Sequence, residues 1–256
     1  MTATLEGGDL VQFIDAKERR YQATLIPGKQ FHSHSGYVEL DDVIGLPEGS
    51  TVRTTRGQAF VVVRPTLSDF ILKMPRGAQV IYPKDIGPIL LLADIAPGVR
   101  VLESGVGSGA LSMGMLRAGA DIVGYELRED FAARAQANVG RFLGPSVMDR
   151  YRVELRDCYD GIDERDVDRV VLDLPEPWRV VPHAEASLRP GGILLAYTPS
   201  VTQVSQLRDA LARSRFFSAA TTEVLQRGWY VEGQAVRPDH RMVAHTGFLT
   251  VARLGA

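Results

Sequence analysis

The hydrophobic pattern changes once along the chain. Between about residues 8 and 66, short stretches alternate between apolar and polar positions, with turn sequences such as Pro27-Gly28 between them. The clearest of these stretches cover residues 10–14, 21–26 and 58–63. This pattern predicts a small antiparallel β domain at 1–66, followed by a linking helix and loop at 67–82.

The pattern from residue 83 onward is an alternation of strands and helices. Strands are predicted at 100–103, 122–125, 151–155, 169–172, 193–197, 222–226 and 246–251, and helices at 84–94, 109–118, 129–142 and 202–213. Such alternation builds an α/β fold, a Rossmann-like parallel sheet covered by helices on both faces. We therefore predict a second, ligand-binding domain at 83–256.

A glycine-rich loop follows the first strand of this second region. It reads Glu103-Ser104-Gly105-Val106-Gly107-Ser108-Gly109. Glycines after a strand allow a tight turn and let a ligand approach the backbone. The helix that follows directs its free amide donors to the same place. Nucleotide-like ligands bind at this end of such sheets.

The loop is compatible with two kinds of cofactor. Gly105, Gly107 and Ala110 fit the relaxed dinucleotide pattern, so a nicotinamide-dependent oxidoreductase is one hypothesis. Glu103 favours S-adenosylmethionine as the cofactor, because a carboxylate at this position would repel a pyrophosphate but tolerate the cationic amino acid portion of S-adenosylmethionine. The spacing of Glu103 and the three glycines resembles that of class I methyltransferases.

Two further acidic residues follow the next strands. Glu126 ends the second strand, where a carboxylate can accept the ribose hydroxyls of either cofactor. A solvated surface glutamate is the alternative. Asp157 follows the third strand, where an acid in class I methyltransferases accepts the adenine amino group of the cofactor. An aspartate that caps a turn fits Asp157 almost equally well.

The sequence Val171-Leu172-Asp173-Leu174-Pro175-Glu176-Pro177-Trp178 is the most informative stretch. It resembles the Asp/Asn-Pro-Pro-aromatic loop of methyltransferases that act on nitrogens of bases. Its prolines fix the backbone and remove amide donors. Methylation at N1 makes adenine a cation, and a carboxylate that accepts from the exocyclic amine would stabilise that charge in the transition state. Asp173 is the candidate for this carboxylate.

The whole chain resembles the tRNA (adenine-58-N1)-methyltransferase family of bacteria and archaea. The resemblance includes residues 31–36, 74–85 and the last strand, where Ala244-His245-Thr246-Gly247-Phe248-Leu249 departs slightly from the usual Gly-His-Thr-Ala-Phe-Leu. It implies homotetramers, S-adenosylmethionine as methyl donor and the T-loop adenine of tRNA as target. It further implies that Val106 to Gly109, Glu126, Asp157 and Asp173 contact the cofactor, and that Tyr82 and Tyr197 line the adenine pocket.

Composition sets limits but does not decide the function. The formal charge of −2 is not the basic footprint expected of a nucleic-acid binder, so an RNA site would need locally gathered arginines. The single cysteine excludes an internal disulfide and a multi-cysteine zinc site. Apolar runs are too short to cross a bilayer, and the amino terminus lacks the features of a secretory signal. We expect a cytoplasmic protein with no membrane or DNA partner.

The histidines suggest little chemistry. His32 and His34 are predicted to share one face of a strand, but a third ligand at recognisable spacing is missing, so we predict no metal site. Three hypotheses remain at this point: a tRNA adenine-N1 methyltransferase, a methyltransferase for another substrate, and the nicotinamide-dependent oxidoreductase. Tyr82 also fits the role of a plain core aromatic, since it lies between Ile81 and Pro83.

Overall fold

The computed structural model describes residues 4–77 and 79–256, which divide into two compact units, Met1–Met74 and Pro75–Ala256. The described residues of the first unit form six strands and one α-helix: β1 Leu10–Asp15, β2 Arg20–Thr24, β3 Gln30–Ser33, β4 Gly36–Glu39, β5 Thr51–Arg53, β6 Ala59–Val63 and α1 Leu67–Lys73. Helix α1 lies within this unit, and the loop that follows it belongs to the second. The domain boundaries at residues 66 and 82 stay a prediction.

The first unit is an antiparallel β structure, as its alternating pattern predicts. Four strands form a sheet in the order β2-β1-β6-β5, and β3 pairs with β4 in a separate hairpin. Phe13 and Phe31 stack with ring centroids 4.0 Å apart, and the edge of Phe60 meets both rings. Offset and edge-to-face aromatic contacts stabilise a core beyond simple burial. This cluster therefore holds the small sheet and the hairpin together.

In the second unit, the part of the chain that the structure describes forms nine strands and five α-helices: α2 Pro83–Leu92, β7 Arg100–Ser104, α3 Ala110–Arg117, β8 Asp121–Glu126, α4 Glu129–Leu143, β9 Tyr151–Leu155, β10 Val167–Asp173, α5 Val181–Ser187, β11 Leu188–Thr198, α6 Val201–Ala212, β12 Phe216–Glu223, β13 Trp229–Glu232, β14 Ala235–Pro238 and β15 Phe248–Leu254. Seven of the strands form one sheet in the order β12-β15-β11-β10-β7-β8-β9. Strands β7 to β11 run parallel, whereas β15 is antiparallel to both of its neighbours.

The order of the strands determines where a ligand can bind. The chain passes from β7 outward to β8 and β9, and then returns to the other side of β7 to form β10 and β11. The connections at the carboxyl ends of β7 and β10 therefore diverge and leave a crevice, which is where open α/β sheets bind ligands. The second halves of β10 and β11 are buried, which explains why residues 170–172 and 193–196 read as continuous apolar runs rather than alternating ones.

Three sequence-based predictions of local structure were inaccurate. Strand β12 covers Phe216–Glu223 and not 222–226, because a register shift between Phe217 and Ala220 breaks its alternation. The last strand begins at Phe248 and not at residue 246. His34 lies in the two-residue turn between β3 and β4, so it does not share a strand face with His32.

The hairpin formed by β13 and β14 was not predicted from the sequence. It exposes several large apolar side chains, and further apolar residues on the segments beside it are also exposed: Leu225, Trp229, Val231, Val236, Met242 and Val243. An exposed apolar patch of this kind marks an interaction surface. Among the described residues, no helix is long and apolar enough to span a membrane, and no group of three or more potential ligands could hold a metal ion.

Candidate functional site

The glycine loop lies between β7 and α3, and its three glycines all have positive φ angles. Gly105, Gly107 and Gly109 have φ values of 84°, 57° and 81°. Side chains other than glycine rarely adopt this left-handed backbone conformation. Gly109 also packs against α4, where an added Cβ would lie 3.2 Å from the backbone of Ala135. The sequence of the loop is therefore required by its conformation and by its close packing.

Gly105 brings the ends of two strands into contact. A Cβ atom at Gly105 would lie only 2.1 Å from the carbonyl oxygen of Asp173, so a larger residue cannot fit here without moving β10. The neighbouring Val106 packs against β8, where the lack of a side chain at Gly124 leaves room for its methyl group. The loop is thus held between β8 and β10 at the switch point of the sheet.

Glu126 is joined to the glycine loop by backbone hydrogen bonds. Its Oε2 atom accepts from the amide of Gly107 at 3.0 Å, and its Oε1 atom accepts from the amide of Arg128 at 3.0 Å. An ionised carboxylate offers about four lone-pair positions, so two of these remain for a ligand. Glu126 is therefore an oriented part of the site and not a solvated surface residue.

Glu103 and Asp173 are carboxyl groups with strongly perturbed acidity. Burial raises the pKa of Glu103 to about 8, with added repulsion from Asp173 and Glu126, although Ser112 donates a hydrogen bond of 2.6 Å to its carboxylate. Burial and the charge of Glu126 raise the pKa of Asp173 to about 7. Within the described part of the chain, no protein donor reaches the Asp173 carboxylate. Perturbed groups of this kind cluster at functional sites.

These three carboxylates border one cleft at the carboxyl edge of the sheet. Its wider part has a volume of about 490 Å³ and contacts Gly105, Glu126 and Asp173, and its narrow inner part contacts Glu103 and the glycine loop. Among the lining residues that the structure describes, none is a lysine, arginine or histidine. The cleft is therefore suited to a cationic ligand and unsuited to a pyrophosphate.

The remaining predicted residues lie around this cleft in different ways. Tyr197 is the register partner of Asp173 on the neighbouring strand β11 and donates a hydrogen bond of 2.5 Å to the carbonyl of Thr246. Tyr82 directly precedes α2, close enough to Tyr197 to affect its acidity. Burial raises the pKa of Tyr197 to about 12. Neither tyrosine lines the part of the cleft described above, so their contact with a target base stays a prediction.

Asp157 follows β9 and makes a turn contact. Its Oδ1 atom accepts from the amide of Tyr159 at 2.9 Å, which is the capping role that the sequence left open. Its contact with the adenine of a cofactor also stays a prediction. Cys158, the next residue, is buried, and burial raises the pKa of its thiol, so it is a packed side chain and not a nucleophile.

Several further residues line the cleft, and the sequence assigned none of them a place in it. They come from the segment before α2, from the start of α4, from the loop after β10 and from the region of α6: Gln79, Val80, Ile81, Phe131, Leu174, Pro175, Pro199 and Gln203. Leu174 and Pro175 belong to the proline-containing loop singled out in the sequence, and residues 79–81 lie in a segment that carries the family resemblance, but neither pattern placed these side chains in the cleft. The others are ordinary residue types whose position in the cleft depends on the tertiary fold.

Comparison with known proteins identifies the family. Residues 59–237 match the family described as tRNA methyltransferase complex GCD14 subunit, and residues 4–52 match the family TrmI-like N-terminal. The chain is 37% identical over 243 residues to the tRNA (adenine(58)-N(1))-methyltransferase TrmI of Thermus thermophilus, covering 93% of this chain and 94% of that relative. The chain belongs to the tRNA (adenine-58-N1)-methyltransferase family. The resemblance seen in the sequence is thereby confirmed.

Solved structures of relatives agree with the fold. A structure of the tRNA (m1A58) methyltransferase TrmI from Aquifex aeolicus has a TM-score of 0.86 and 28% identity, covering 99% of this chain and 100% of that one. Another, named as a SAM-dependent O-methyltransferase from Thermotoga maritima, has a TM-score of 0.93 and 32% identity, covering 99% and 95%. The class I methyltransferase fold, with its small β-rich amino-terminal region, is therefore confirmed.

Replacing Gly105 with alanine tests the contact between the glycine loop and β10. Gly98 is a matched control, since it has a similar φ of 79° but open space where its Cβ would lie. We expect Gly98→Ala to cost about 1–2 kcal/mol for the left-handed backbone. Gly105→Ala should cost a further ~1–3 kcal/mol of overpacking. Urea denaturation of both variants measures these losses, and equal losses would show that the Asp173 carbonyl does not limit the site.

Proposed function

We propose that this chain transfers the methyl group of S-adenosylmethionine to N1 of adenine 58 in the T-loop of tRNA. The observation that carries the proposal is the convergence of Glu103, Glu126 and Asp173 on one cleft without a lining cation. The names of its relatives supply the substrate, because two of them are tRNA methyltransferases acting at adenine 58. A nicotinamide-dependent oxidoreductase is disfavoured, since a pyrophosphate would meet these carboxylates.

The residues of the cleft fit S-adenosylmethionine as a resident methyl donor. The hydroxyl of Ser108 is buried in the glycine loop and has no partner among the described residues, so it is available to the amino acid portion of a ligand. The carboxylates suit the positive charges of the sulfonium and ammonium groups, and Glu126 suits the ribose hydroxyls. We assign cofactor contacts to Glu103, Gly105, Val106, Gly107, Ser108, Gly109, Glu126 and Asp173, and we retain Asp157 for the adenine edge.

Asp173 is the residue proposed to act on the target base. Its carboxylate lies at the end of β10, borders the cleft and has no protein donor among the described residues, which leaves it free to accept from the exocyclic amine of adenine. N1 of adenine carries a free lone pair, so no base is required. As the ring becomes a cation, the hydrogen bond to Asp173 strengthens and lowers the barrier. Tyr82 and Tyr197 are proposed to line the pocket that receives the extruded base.

We further propose a homotetramer that acts on tRNA in the cytoplasm. The exposed apolar side chains of the β13–β14 hairpin and its flanking segments support an assembly, because a monomer rarely leaves a patch of this kind in water. The charge of −2 also supports it, since arginines from several subunits could gather around one RNA. The mass of the protein in solution, measured by light scattering, tests the assembly.

The decisive experiment is to map the methylated nucleoside. The protein is incubated with an unmodified tRNA transcript and labelled S-adenosylmethionine, and the product is digested and analysed by mass spectrometry. We expect 1-methyladenosine at position 58 and none in a transcript with uridine at that position. A labelled methyl group at adenine 57 would show that the enzyme also modifies this neighbouring position. Label only in a catechol offered as acceptor would favour the O-methyltransferase activity named for one relative. If calorimetry detected binding of NAD but not of S-adenosylmethionine, both methyltransferase activities would be rejected.

Asp173→Asn tests the catalytic role of the carboxylate while keeping its size. An amide can still accept a hydrogen bond but lacks the charge that stabilises the cationic ring, so we expect kcat to fall about 10²–10³-fold. The dissociation constant for S-adenosylmethionine should rise much less, since the lost interaction belongs to the transition state. Single-turnover rates and calorimetry separate the two. Unchanged turnover would remove Asp173 from the mechanism.

The raised pKa values of Glu103 and Asp173 predict that cofactor binding depends on pH. At about pH 6 both carboxyl groups are mostly protonated and neutral, because their pKa values are about 8 and 7. A cationic ligand favours the ionised forms, so binding should release protons and tighten as the pH rises to about 8. Calorimetry in two buffers of different ionisation enthalpy counts the released protons. Asp173→Asn should release fewer, and proton uptake in the unaltered protein would contradict the assignment.

A further inference from the structure

Three consecutive residues before β15 make contacts with Pro199, which lines the cleft, and with Tyr197 on the neighbouring strand. We call residues 245–247 the strut. Both ring nitrogens of His245 face acceptors: Nδ1 lies 2.7 Å from the Glu223 carboxylate, and Nε2 lies 2.8 Å from the carbonyl oxygen of Pro199. Only the protonated ring can donate to both, and these hydrogen bonds raise the pKa of His245. Pro199 is itself a lining residue of the cleft.

Thr246 connects the strut to Tyr197 and to α2. Its carbonyl accepts the hydrogen bond from the Tyr197 hydroxyl. Its own hydroxyl donates to Asp85 at 2.7 Å and accepts from Lys84 at 2.6 Å. The side chains of Lys84 and Asp85 are 3% and 0% exposed and form an ion pair of 2.8 Å, and Lys84 also donates to the carbonyl of Val224. A buried ion pair with all of its hydrogen bonds made is a rigid anchor.

Gly247 completes the strut through its lack of a side chain. A Cβ atom at this position would lie 2.4 Å from the Cζ atom of Tyr197, so the tyrosine ring rests directly on the glycine backbone. The φ angle of Gly247 is not in the left-handed region, and therefore close packing rather than backbone strain requires the glycine. The ring position of Tyr197 is thus fixed from two sides, by the Thr246 carbonyl and by Gly247.

These contacts share one consequence for the cleft. Tyr197 lies beside Asp173 in the sheet, and Tyr82 lies two residues before Lys84, so the buried ion pair links the two tyrosines proposed to wall the base. We propose that residues 245–247 are a positioning element of the target-base side of the cleft, which sets the rate of methyl transfer far more than the affinity for the cofactor. This inference rests on the proposed function, because it assigns the tyrosines to the base.

Gly247→Ala is the most direct test, since its methyl group must displace the Tyr197 ring. Gly87→Ala is the matched control, because Gly87 also has an ordinary φ and nothing within 4 Å of an added Cβ. We expect Gly247→Ala to lower kcat on tRNA about ten- to a hundredfold, as small misplacements of aligned groups do. The dissociation constant for S-adenosylmethionine should stay within about twofold, since the strut acts mainly on the target-base side. Gly87→Ala should keep both values.

Thr246 provides a second, independent pair of variants. Thr246→Val removes the hydroxyl that bonds to Lys84 and Asp85, and we expect kcat to fall about ten- to a hundredfold, because two buried hydrogen bonds are lost. Thr246→Ser keeps the hydroxyl and should restore most of the rate. Thr250→Val is the control, because it removes another buried hydroxyl from the same region, one that bonds to Thr221 at 2.9 Å. It should leave kcat unchanged.

A spectroscopic readout separates this inference from the proposed function. Tyrosine labelled with ¹³C at Cζ gives a signal for Tyr197, assigned through Tyr197→Phe, that should shift in Gly247→Ala and not in Gly87→Ala. Unaltered protein that methylates no tRNA contradicts the proposed function alone. Full kcat in Gly247→Ala, an unshifted Tyr197 signal, or a parallel loss of cofactor affinity would each overturn the role of the strut, even if the threonine variants unfold.

Discussion

The close contact between Gly105 and the Asp173 carbonyl is the constraint on which the site depends. It joins the loop after β7 to the end of β10, two segments almost 70 residues apart in the chain. Because the glycine loop is also bonded to Glu126, this one contact brings three carboxyl groups to the same opening. Burying like charges together is unfavourable, and their acidity shifts accordingly. A cationic ligand would relieve that repulsion, which is why the geometry favours a sulfonium compound.

Much of this site could be predicted from the sequence because its residues follow apolar strands directly. Glu103, Glu126 and Asp173 each come at the end of a buried run, and parallel strands bring their carboxyl ends to a common edge. The glycine loop was equally clear, since its positive φ angles demand glycine. Physical reasoning alone left the choice of cofactor open, and resemblance to a known family identified the substrate.

Other parts of the molecule could not be predicted, for identifiable reasons. The irregular register of β12 removed the alternation that would have revealed its true position. The turn at His34 was not recognised, because the sequence around it read as one regular strand. Thr246 contacts Tyr197, which lies 49 positions away in the chain, and Asp85, which lies 161 positions away. A local sequence pattern cannot predict contacts between residues so far apart. Gly247 looked like a minor departure in a strand until the tyrosine ring was found beside it.

The pairing of β10 with β11 restricts how this protein can change in evolution. A register shift occurs between Val167 and Arg169, far from the cleft, and pairing is regular from there to Asp173 and Tyr197. Deleting one residue from the regular part of β11 would turn Tyr197 to the opposite face of the sheet, although the backbone hydrogen bonds could re-form. Beyond Leu174 and Pro175, which line the cleft, the segment between the two strands has no register to preserve. Insertions that adapt the enzyme to new tRNAs should therefore accumulate in connecting segments and be excluded from these two strands.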